Sequence, residues 1–455
     1  MSALRKPGRF KVAVLVLASV LAVLAALVWF LNTRGEVDVI NASMPAAPAD
    51  QTLVERGAYL ARAGNCAGCH TARGGEAYAG GLGIGTPFGT VFTSNLTPDK
   101  ATGIGDWTPA HFWRAMHNGR SKDGRLLYPA FPYTSYTKVT REDSDAIYAF
   151  LQSQPAVVQP NREHGVGFPY NSQAALAVWR ALYFRPGTFQ PTDSRNAEWN
   201  RGAYLVQGLG HCAACHSARN ALGATTTGLG LAGGLIPMQN WYAPSLASPD
   251  EAGVGHWSRA EVVSLLKTGV SPRASVTGPM AEVVLRSTQY LNDADLDAMA
   301  QYLQALPGMR SETDEPDNAS VAARVPTTTL PPKSGTQPPG AGEGSVGGKL
   351  YAQHCAQCHG DNGQGVPNAY PALAGNRAVT MANSANLVQI VLNGGYAPAT
   401  AGNPRPFGMP PFVLVLNDQE VATLLTYVRQ SWGNRAEAVT QFEVHHVKTG
   451  SSSQR

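Results

Sequence analysis

The sequence has little of what most enzyme classes require. Cysteine accounts for only six of its 455 residues, and charged residues make up 15% of the chain. No G-x-G-x-x-G fingerprint follows a predicted strand, and neither a P-loop nor a G-x-S-x-G nucleophile elbow occurs, which leaves out the common motifs for nicotinamide, flavin, nucleotide and acyl-transfer chemistry. The 35 basic and 31 acidic residues form no basic stripe. We therefore predict no catalytic side chain and no nucleic-acid partner.

The N-terminal region contains a long apolar run. In residues 12–31 only Ser19 is polar. A helix over this run spans about 30 Å, the thickness of one hydrocarbon core. The apolar part of a secretory signal usually has about 7–15 residues, so a retained transmembrane anchor over residues 1–34 is favoured over a cleaved signal. The basic residues before the run keep the N-terminus cytoplasmic, which places the rest of the chain outside the cytoplasm in either case.

The six cysteines form three C-x-x-C pairs, and a histidine follows each pair at once. The three motifs are Cys66-Ala67-Gly68-Cys69-His70, Cys212-Ala213-Ala214-Cys215-His216 and Cys355-Ala356-Gln357-Cys358-His359. C-x-x-C-H is the attachment motif of c-type haem, in which two thiols bind the porphyrin and the histidine ligates the iron. We therefore predict three covalently bound haems. The predicted attachment and axial residues are Cys66, Cys69, Cys212, Cys215, Cys355 and Cys358, with His70, His216 and His359 on the irons.

Other interpretations of the cysteine pairs are weaker. A zinc ribbon uses C-x-x-C pairs two at a time, so three pairs leave one unmatched. A thioredoxin-like dithiol belongs in a βαβ context, which none of the pairs has. Disulfides form outside the cell, but disulfides between the motifs would not explain three adjacent histidines. Every cysteine is thus assigned, and none is left as a nucleophile or an iron–sulfur ligand.

The surroundings of the motifs repeat as well. R-G-A-Y-L occurs at residues 56–60 and 201–205, and two related glycine–tryptophan segments occur at 103–107 and 253–257. Such self-similarity indicates one structural unit repeated. Each unit also closes with a helix-like apolar pattern, at 141–153, 292–305 and 417–431. We predict a mainly α fold with three tandem class I cytochrome c domains, preceded by one transmembrane helix.

This organisation divides the chain into seven segments. They are the anchor (1–34), domain 1 (50–155), a helical connector (156–199), domain 2 (200–310), a proline-rich linker (311–345), domain 3 (346–434) and a polar tail (435–455). Within the connector, an apolar helical segment over 172–184 has Asn171 or Ser172 as its cap, so domains 1 and 2 are expected to pack together. The linker composition is that of a semi-flexible tether, which leaves domain 3 either mobile or docked.

From about residue 53 to 434, the chain resembles the three-haem cytochrome c subunit of membrane-bound bacterial dehydrogenases. Besides the haem motifs, the resemblance is carried by Thr86-Pro87-Phe88-Gly89-Thr90, Asn95-Leu96-Thr97-Pro98, Trp241-Tyr242-Ala243-Pro244 and Phe407-Gly408-Met409-Pro410-Pro411-Phe412. Such subunits serve quinoprotein alcohol dehydrogenase and flavin-linked gluconate and sorbitol dehydrogenases, and similar ones accompany molybdenum hydroxylases. The resemblance implies a dehydrogenase catalytic subunit as electron donor, and ubiquinone or a terminal oxidase as acceptor. It also implies a place on the periplasmic side of the inner membrane of a Gram-negative bacterium.

Methionine is the usual second axial ligand on this scaffold, because a thioether raises the haem potential. In domain 3, Met409 occupies the family position for this ligand, and in domain 2 Met280 lies in Gly278-Pro279-Met280. We predict both as iron ligands. We expect the other methionines to pack in the apolar cores.

Domain 1 departs from the family pattern. Where the family has Tyr-Pro-Ala-Met-Pro-Tyr, this chain has Phe131 in place of the methionine. The nearest candidates for a replacement are Met116, which is best interpreted as core, and His111 and His117, which are best interpreted as solvent-facing. The haem of domain 1 is therefore expected either to lack a sixth protein ligand or to use one of these three.

The leading functional hypothesis is an electron-relay subunit without substrate chemistry of its own. One alternative is an oxidase-linked cytochrome c subunit. Another is a peroxidase-like haem enzyme that uses the haem of domain 1 as an open site. A gas or redox sensor is the weakest, since no signalling domain follows the anchor.

Overall fold

The computed structural model describes residues 9–34, 36, 50–225, 230–308, 344–367 and 369–452. Helices dominate these residues, joined by loops and by small antiparallel sheets. The first helix, α1 (Arg9–Thr33), is long and apolar enough to cross a membrane, and its most apolar stretch is not buried against the rest of the chain. This helix covers the predicted span.

Domain 1 has two long helices that enclose its haem motif and loops. Its elements are α2 (Gln51–Ala63), α3 (Cys66–His70), β1 (Gly83–Thr86), β2 (Gly89–Phe92), α4 (Pro109–Asn118), α5 (Tyr133–Tyr136) and α6 (Arg141–Gln152). The opening and closing helices, α2 and α6, cross in backbone contact. A Cβ on Gly57 would lie 1.9 Å from the carbonyl oxygen of Ala146, so only glycine permits this crossing.

The connector starts as an extended segment and becomes helical from residue 173. Residues 165–166 form β3 (Gly165–Val166), which adds to β2 of domain 1. Helix α7 (Gln173–Tyr183) follows, and the Ser172 side chain accepts a hydrogen bond from the Ala175 amide at 3.2 Å as its N-cap. The predicted helical segment of the connector is confirmed, with Ser172 rather than Asn171 as the cap. Helix α7 packs against α1.

Domain 2 repeats the plan of domain 1. Its elements are α8 (Ala197–Tyr204) with a π-helical turn at Leu205–Leu209, α9 (Ala213–His216), β4 (Gly234–Ile236), β5 (Trp241–Ala243), α10 (Arg259–Thr268), β6 (Val270–Ser271), β7 (Ala274–Ser275), α11 (Gly278–Arg286), a 3₁₀ turn at Thr288–Tyr290 and α12 (Asp293–Gln304). The crossing of α8 and α12 again depends on the R-G-A-Y-L glycine, because a Cβ on Gly202 would lie 1.9 Å from the Ala298 carbonyl oxygen. One continuous apolar core joins domains 1 and 2, as the sequence predicted.

Domain 3 has a separate apolar core. Its elements are α13 (Val346–His354), α14 (Ala356–His359), α15 (Arg377–Thr380), α16 (Ala385–Asn393), β8 (Gly395–Tyr396), β9 (Gly408–Met409), α17 (Asp418–Gln430) and α18 (Gln441–Ser452). The predicted proline-rich linker, 311–345, lies outside the described residues except for its last two positions. Domain 3 is docked on domain 2, through hydrogen bonds such as that from the Tyr242 amide to the Asn386 side chain.

The prediction of a polar tail over 435–455 is wrong for its described part. Helix α18 packs against α16 and α17, and it buries Val444 and Val447 in the core of domain 3. Val439, just before the helix, is buried with them. These valines stand among polar residues and Gly450, so the segment has too few apolar residues for its pattern to reveal a helix.

Candidate haem sites

In each domain, one helical turn presents both cysteines and the histidine on the same side. The His216 amide donates to the Cys212 carbonyl at 2.9 Å, and the His359 amide donates to the Cys355 carbonyl at 2.9 Å. This i, i+4 geometry aligns the first thiol with the imidazole, while the second thiol lies at i+3 on the same face. The C-x-x-C-H spacing therefore folds into a single three-point attachment surface.

The three motif histidines are oriented in the same way. Nδ1 of His70 lies 2.7 Å from the Ser94 carbonyl oxygen, and Nδ1 of His216 lies 2.7 Å from that of Pro244. In domain 3, Nδ1 of His359 lies 2.9 Å from the Pro371 carbonyl oxygen. A carbonyl can only accept, so Nδ1 carries the proton and Nε2 keeps a free lone pair for a metal.

Burial favours the neutral form of these imidazoles. It lowers the pKa of His70, His216 and His359, and the hydrogen bond to each carbonyl opposes this lowering only in part. A neutral imidazole with a fixed Nδ1–H tautomer is the form that ligates iron. The same geometry in all three domains is what three proximal ligands require.

The six cysteines are partly accessible at the surface of the protein chain, Cys69 most of all, and none of them forms a disulfide. Burial, together with the second cysteine of each motif, raises the pKa of Cys66, Cys212 and Cys355 to about 12. Among the described residues, no group of three or more His, Cys, Asp or Glu side chains could hold a metal ion. The donor set in each domain fits a c-type haem.

The two predicted methionine ligands pack on the same apolar cores as the cysteines of their motifs. Met409 ends β9, which pairs with β8, and its side chain packs on the core of domain 3 together with Cys355. Met280 lies in the first turn of α11, and it packs on the shared core of domains 1 and 2 together with Cys212. Both placements are compatible with iron ligation, which stays a prediction.

In domain 1, the three alternative ligands have different surroundings. Met116 is 5% exposed and belongs to the apolar core, as expected. His111 is half-buried at the start of α4, where its Nδ1 accepts a hydrogen bond from the Thr108 amide at 3.2 Å. The expectation that His117 faces solvent is wrong, because it is 8% exposed and stacks on Trp113 with the ring centroids 4.4 Å apart.

Comparison with known proteins accords with this arrangement. The family model described as cytochrome c matches residues 54–155, 200–307 and 345–432, one match for each haem motif. The chain belongs to the cytochrome c family. The predicted fold class, three tandem cytochrome c domains after an apolar N-terminal helix, is confirmed, and so is the prediction of three covalent c-type haems.

The predicted resemblance to dehydrogenase cytochrome subunits is also confirmed. The chain is 39% identical over 400 residues to the cytochrome c subunit of alcohol dehydrogenase (quinone) from Gluconacetobacter polyoxogenes, covering 85% of this chain and 82% of the relative. It is 37% identical over 401 residues to the gluconate 2-dehydrogenase cytochrome c subunit of Pantoea cypripedii, covering 86% and 88%. It is 34% identical over 415 residues to the fructose dehydrogenase cytochrome subunit of Gluconobacter japonicus, covering 89% and 84%. This cytochrome c is therefore an electron-transfer protein.

Sequence reasoning missed the carbonyl groups that orient the histidines. Two of them were near segments of the family resemblance, since Ser94 precedes Asn95-Leu96-Thr97-Pro98 and Pro244 ends Trp241-Tyr242-Ala243-Pro244. No residue type marks a backbone carbonyl, so only the folded loops reveal this role.

Proposed function

We propose that this cytochrome c passes electrons from a dehydrogenase catalytic subunit, through its three haems, to the quinone pool or a terminal oxidase, on the periplasmic side of the inner membrane. The named partners of its relatives motivate the donor, because alcohol, gluconate and fructose dehydrogenases each have such a cytochrome subunit. The observation that carries the proposal is the contact of domain 2 with both other domains near the haem motifs.

The motifs of domains 1 and 2 meet across the shared core. The Tyr136 hydroxyl of domain 1 donates to the Gly64 carbonyl at 3.0 Å, two residues before Cys66. The Tyr136 ring also lies edge-on to His211, which precedes Cys212, with the centroids 5.5 Å apart. One aromatic side chain thus touches the entry to both motifs.

Domain 2 also contacts the first motif directly. Helix α11 of domain 2 packs against α3, the helical turn that carries Cys66 and His70. This contact supports a relay between the haem sites of domains 1 and 2.

Domain 3 holds the loop that orients the histidine of domain 2. The Asn386 side chain accepts from the Tyr242 amide at 2.8 Å and donates to the Tyr242 carbonyl at 2.7 Å. Tyr242 is two residues before Pro244, whose carbonyl fixes His216. The haem irons would supply the one-electron carriers, and the protein supplies close spacing and tuned potentials.

The anchor is attached to the cytochrome domains at its end. Asn32 in the last turn of α1 donates to the Ala177 carbonyl at 2.9 Å and accepts from Arg180 Nε at 2.8 Å. The cytochrome domains therefore begin where the apolar helix ends, which supports a location at the membrane surface. The basic residues before the helix support the periplasmic side.

The donor can be identified with the full chain in detergent. The affinity-purified cytochrome should bring down a dehydrogenase catalytic subunit, identified by mass spectrometry, and the substrate of that dehydrogenase should reduce the haems under anaerobic conditions. The same substrate with the isolated cytochrome is the control and should give no reduction. Reduction by substrate without any catalytic subunit would contradict the relay.

The acceptor is tested after reduction. A soluble ubiquinone analogue added anaerobically to the reduced complex should reoxidise the haems if the quinone pool is the acceptor. If reoxidation requires a purified terminal oxidase and oxygen, the terminal oxidase is the acceptor. Failure of both to reoxidise the haems would contradict the proposal.

A further inference from the structure

The three domains share one glycine position, called here the landmark glycine, from which the residues on the methionine side of each haem site can be counted. In each domain, the helix before the methionine region ends at a glycine with positive φ: Gly119 after α4 (φ 60°), Gly269 after α10 (φ 80°) and Gly394 after α16 (φ 64°). Positions counted from these glycines can be compared between domains without reference to any other protein.

On this scale Phe131 lies within one residue of the position that Met280 has in domain 2. It follows Gly119 by twelve residues, Met280 follows Gly269 by eleven, and Met409 follows Gly394 by fifteen. The Phe131 ring packs on the shared core, with its centroid 5.4 Å from that of Tyr136, the residue that contacts the motif entry. Domain 1 therefore presents a hydrocarbon ring where domain 2 presents a thioether.

Met116 is not a substitute, because its position is structural in every domain. It is three residues before the landmark glycine, where domain 2 has Leu266 and domain 3 has Val391. All three side chains are at most 9% exposed and belong to the apolar cores. Leucine and valine cannot ligate iron, so the shared role of this position is packing.

Two nearby histidines, His111 and His164, are also assigned to other roles. His111 is the third residue of α4 and completes a capping box with Thr108, as Glu261 does with Ser258 in α10. Because His111 Nδ1 accepts from the Thr108 amide, its proton is on Nε2, and neither nitrogen offers a lone pair to a metal. His164 Nδ1 accepts from the Phe92 amide at 3.2 Å, with the same consequence.

His117 is held by a different contact. It stacks on Trp113 with an interplanar angle of 12°, and its Nδ1 lies 3.4 Å from the Thr137 hydroxyl. Its counterpart two residues before the landmark glycine of domain 2 is Lys267, which forms an ion pair with Asp293. The Trp113 stack and the Thr137 contact occupy one face and one ring nitrogen of His117, so this side chain has a packing role of its own.

We propose that domain 1 leaves the sixth coordination position of its haem without a protein ligand, so that a small exogenous ligand can bind where Phe131 replaces a methionine. The ligand class is a diatomic π-acceptor, of the kind represented by carbon monoxide, on the reduced haem. This site is distinct from the electron-relay function and does not depend on the identity of the partner.

Carbon monoxide is the probe for this site in the full chain, purified with three haems and reduced with dithionite. A titration followed by difference spectra should saturate at about one carbon monoxide for every three haems, since only one haem lacks an internal ligand. The oxidised protein should show one high-spin haem by electron paramagnetic resonance. No binding, together with three low-spin haems, would overturn the inference.

Three variants locate the site. Phe131→Met should abolish carbon monoxide binding and convert the high-spin haem to low spin. Met280→Phe should raise binding to about two per chain, because it copies domain 1 into domain 2. Met116→Leu, which copies the residue at 266, should change neither spectrum nor binding.

Two results among the variants would also count against the inference. If Met116→Leu creates carbon monoxide binding, Met116 is the ligand. If Met280→Phe leaves binding at one per chain, Phe131 and Met280 are not equivalent. Haem content measured as pyridine haemochrome excludes haem loss as a cause, and the spectra of the unmodified protein decide the question should Phe131→Met fail to fold.

Discussion

The Tyr59 hydroxyl of domain 1 donates a hydrogen bond to the Asp295 carboxylate of domain 2 at 2.6 Å. In the opposite direction, the Tyr204 hydroxyl of domain 2 donates to the Asp143 carboxylate of domain 1, also at 2.6 Å. Both tyrosines belong to the repeated R-G-A-Y-L segments, and both carboxylates lie at the start of the closing helix of their domain. The repeat thus builds an interface with approximate two-fold symmetry, in which each domain supplies one donor and one acceptor.

Loss of either tyrosine hydroxyl should weaken the joint between domains 1 and 2. Tyr59→Phe or Tyr204→Phe should each lower the free energy of unfolding by about 1–2 kcal/mol, because a buried carboxylate loses a hydrogen bond. The measurement is denaturant unfolding followed by haem absorbance. Tyr396→Phe is the matched control, since Tyr396 is 70% exposed, and it should be neutral. An equal loss in the control would show that the effect is not specific to the interface.

The interface should also respond to acid. Burial alone raises the pKa of Asp295, but hydrogen bonds from Arg201 and Tyr59 and the charge of Arg201 outweigh it, so the pKa is lowered. A lowered folded-state pKa contributes stability above the ordinary value of about 4, and this is lost as the pH falls through the folded-state pKa. Stability measured from neutral pH downward should therefore fall in this range, and Asp295→Asn should flatten the fall. An unchanged acid profile in Asp295→Asn would contradict this assignment.

The sequence predicted the repeated segments and the helices with a strong apolar period. It predicted few of the contacts between residues that are distant in the chain. The closing helices predicted at 141–153, 292–305 and 417–431 agree with α6, α12 and α17 to within one residue at either end. The repeated tyrosines were visible too, but their partners were not. Asp143 and Asp295 resemble any acidic residue at a helix start, where the macrodipole favours them, until the fold brings a tyrosine from another domain to each.

Domain 3 should loosen from domain 2 when its polar contacts are removed. Besides Asn386, Arg377 contributes two hydrogen bonds from Nη1, to the carbonyls of Pro249 and Gly253 at 2.6 and 2.9 Å. The double variant Asn386→Ala/Arg377→Ala should increase the radius of gyration measured by small-angle X-ray scattering, without loss of haem. Lys349→Ala, on the exposed side of α13, is the control. A radius unchanged in the double variant would mean that other contacts hold the domain.

The anchor should be separable from the cytochrome domains at one position. Replacing residues 1–31 by a cleavable signal should give a soluble protein with three haems, because Asn32 remains to pair with Arg180. The unmodified protein should stay with membranes after a high-salt wash, since an apolar span does not depend on charge. A mature N-terminus between residues 32 and 50 would show that the anchor is removed.

The contact at the end of the anchor has its own test. Arg180 is 3% exposed, and its Nε donates to Asn32. Asn32→Ala should leave this charged donor without its partner and cost about 1–3 kcal/mol of unfolding free energy. Thr33→Ala is the control and should be nearly neutral, because the Thr33 hydroxyl bonds only to carbonyls of its own helix. Equal effects in the two variants would show that the Asn32–Arg180 bond contributes little.

Removal of haem attachment should reveal the two separate cores. Domain 3 has its own core, which Cys355 touches, while Cys66 and Cys212 both pack on the core shared by domains 1 and 2. Cys355→Ala/Cys358→Ala should therefore cost about one haem of three and destabilise domain 3 alone, because a haem supplies much of the apolar interior of so small a domain. Cys66→Ala/Cys69→Ala should also cost about one haem of three, but should lower the stability of domains 1 and 2 together. Pyridine haemochrome per protein mass and domain-resolved hydrogen exchange measure both effects.

The contradicting outcome would be a loss of the domain 3 haem that destabilises domains 1 and 2 as strongly as domain 3. The two cores would then be one cooperative unit, and the contact surface at Asn386 would contribute far more energy than its hydrogen bonds provide.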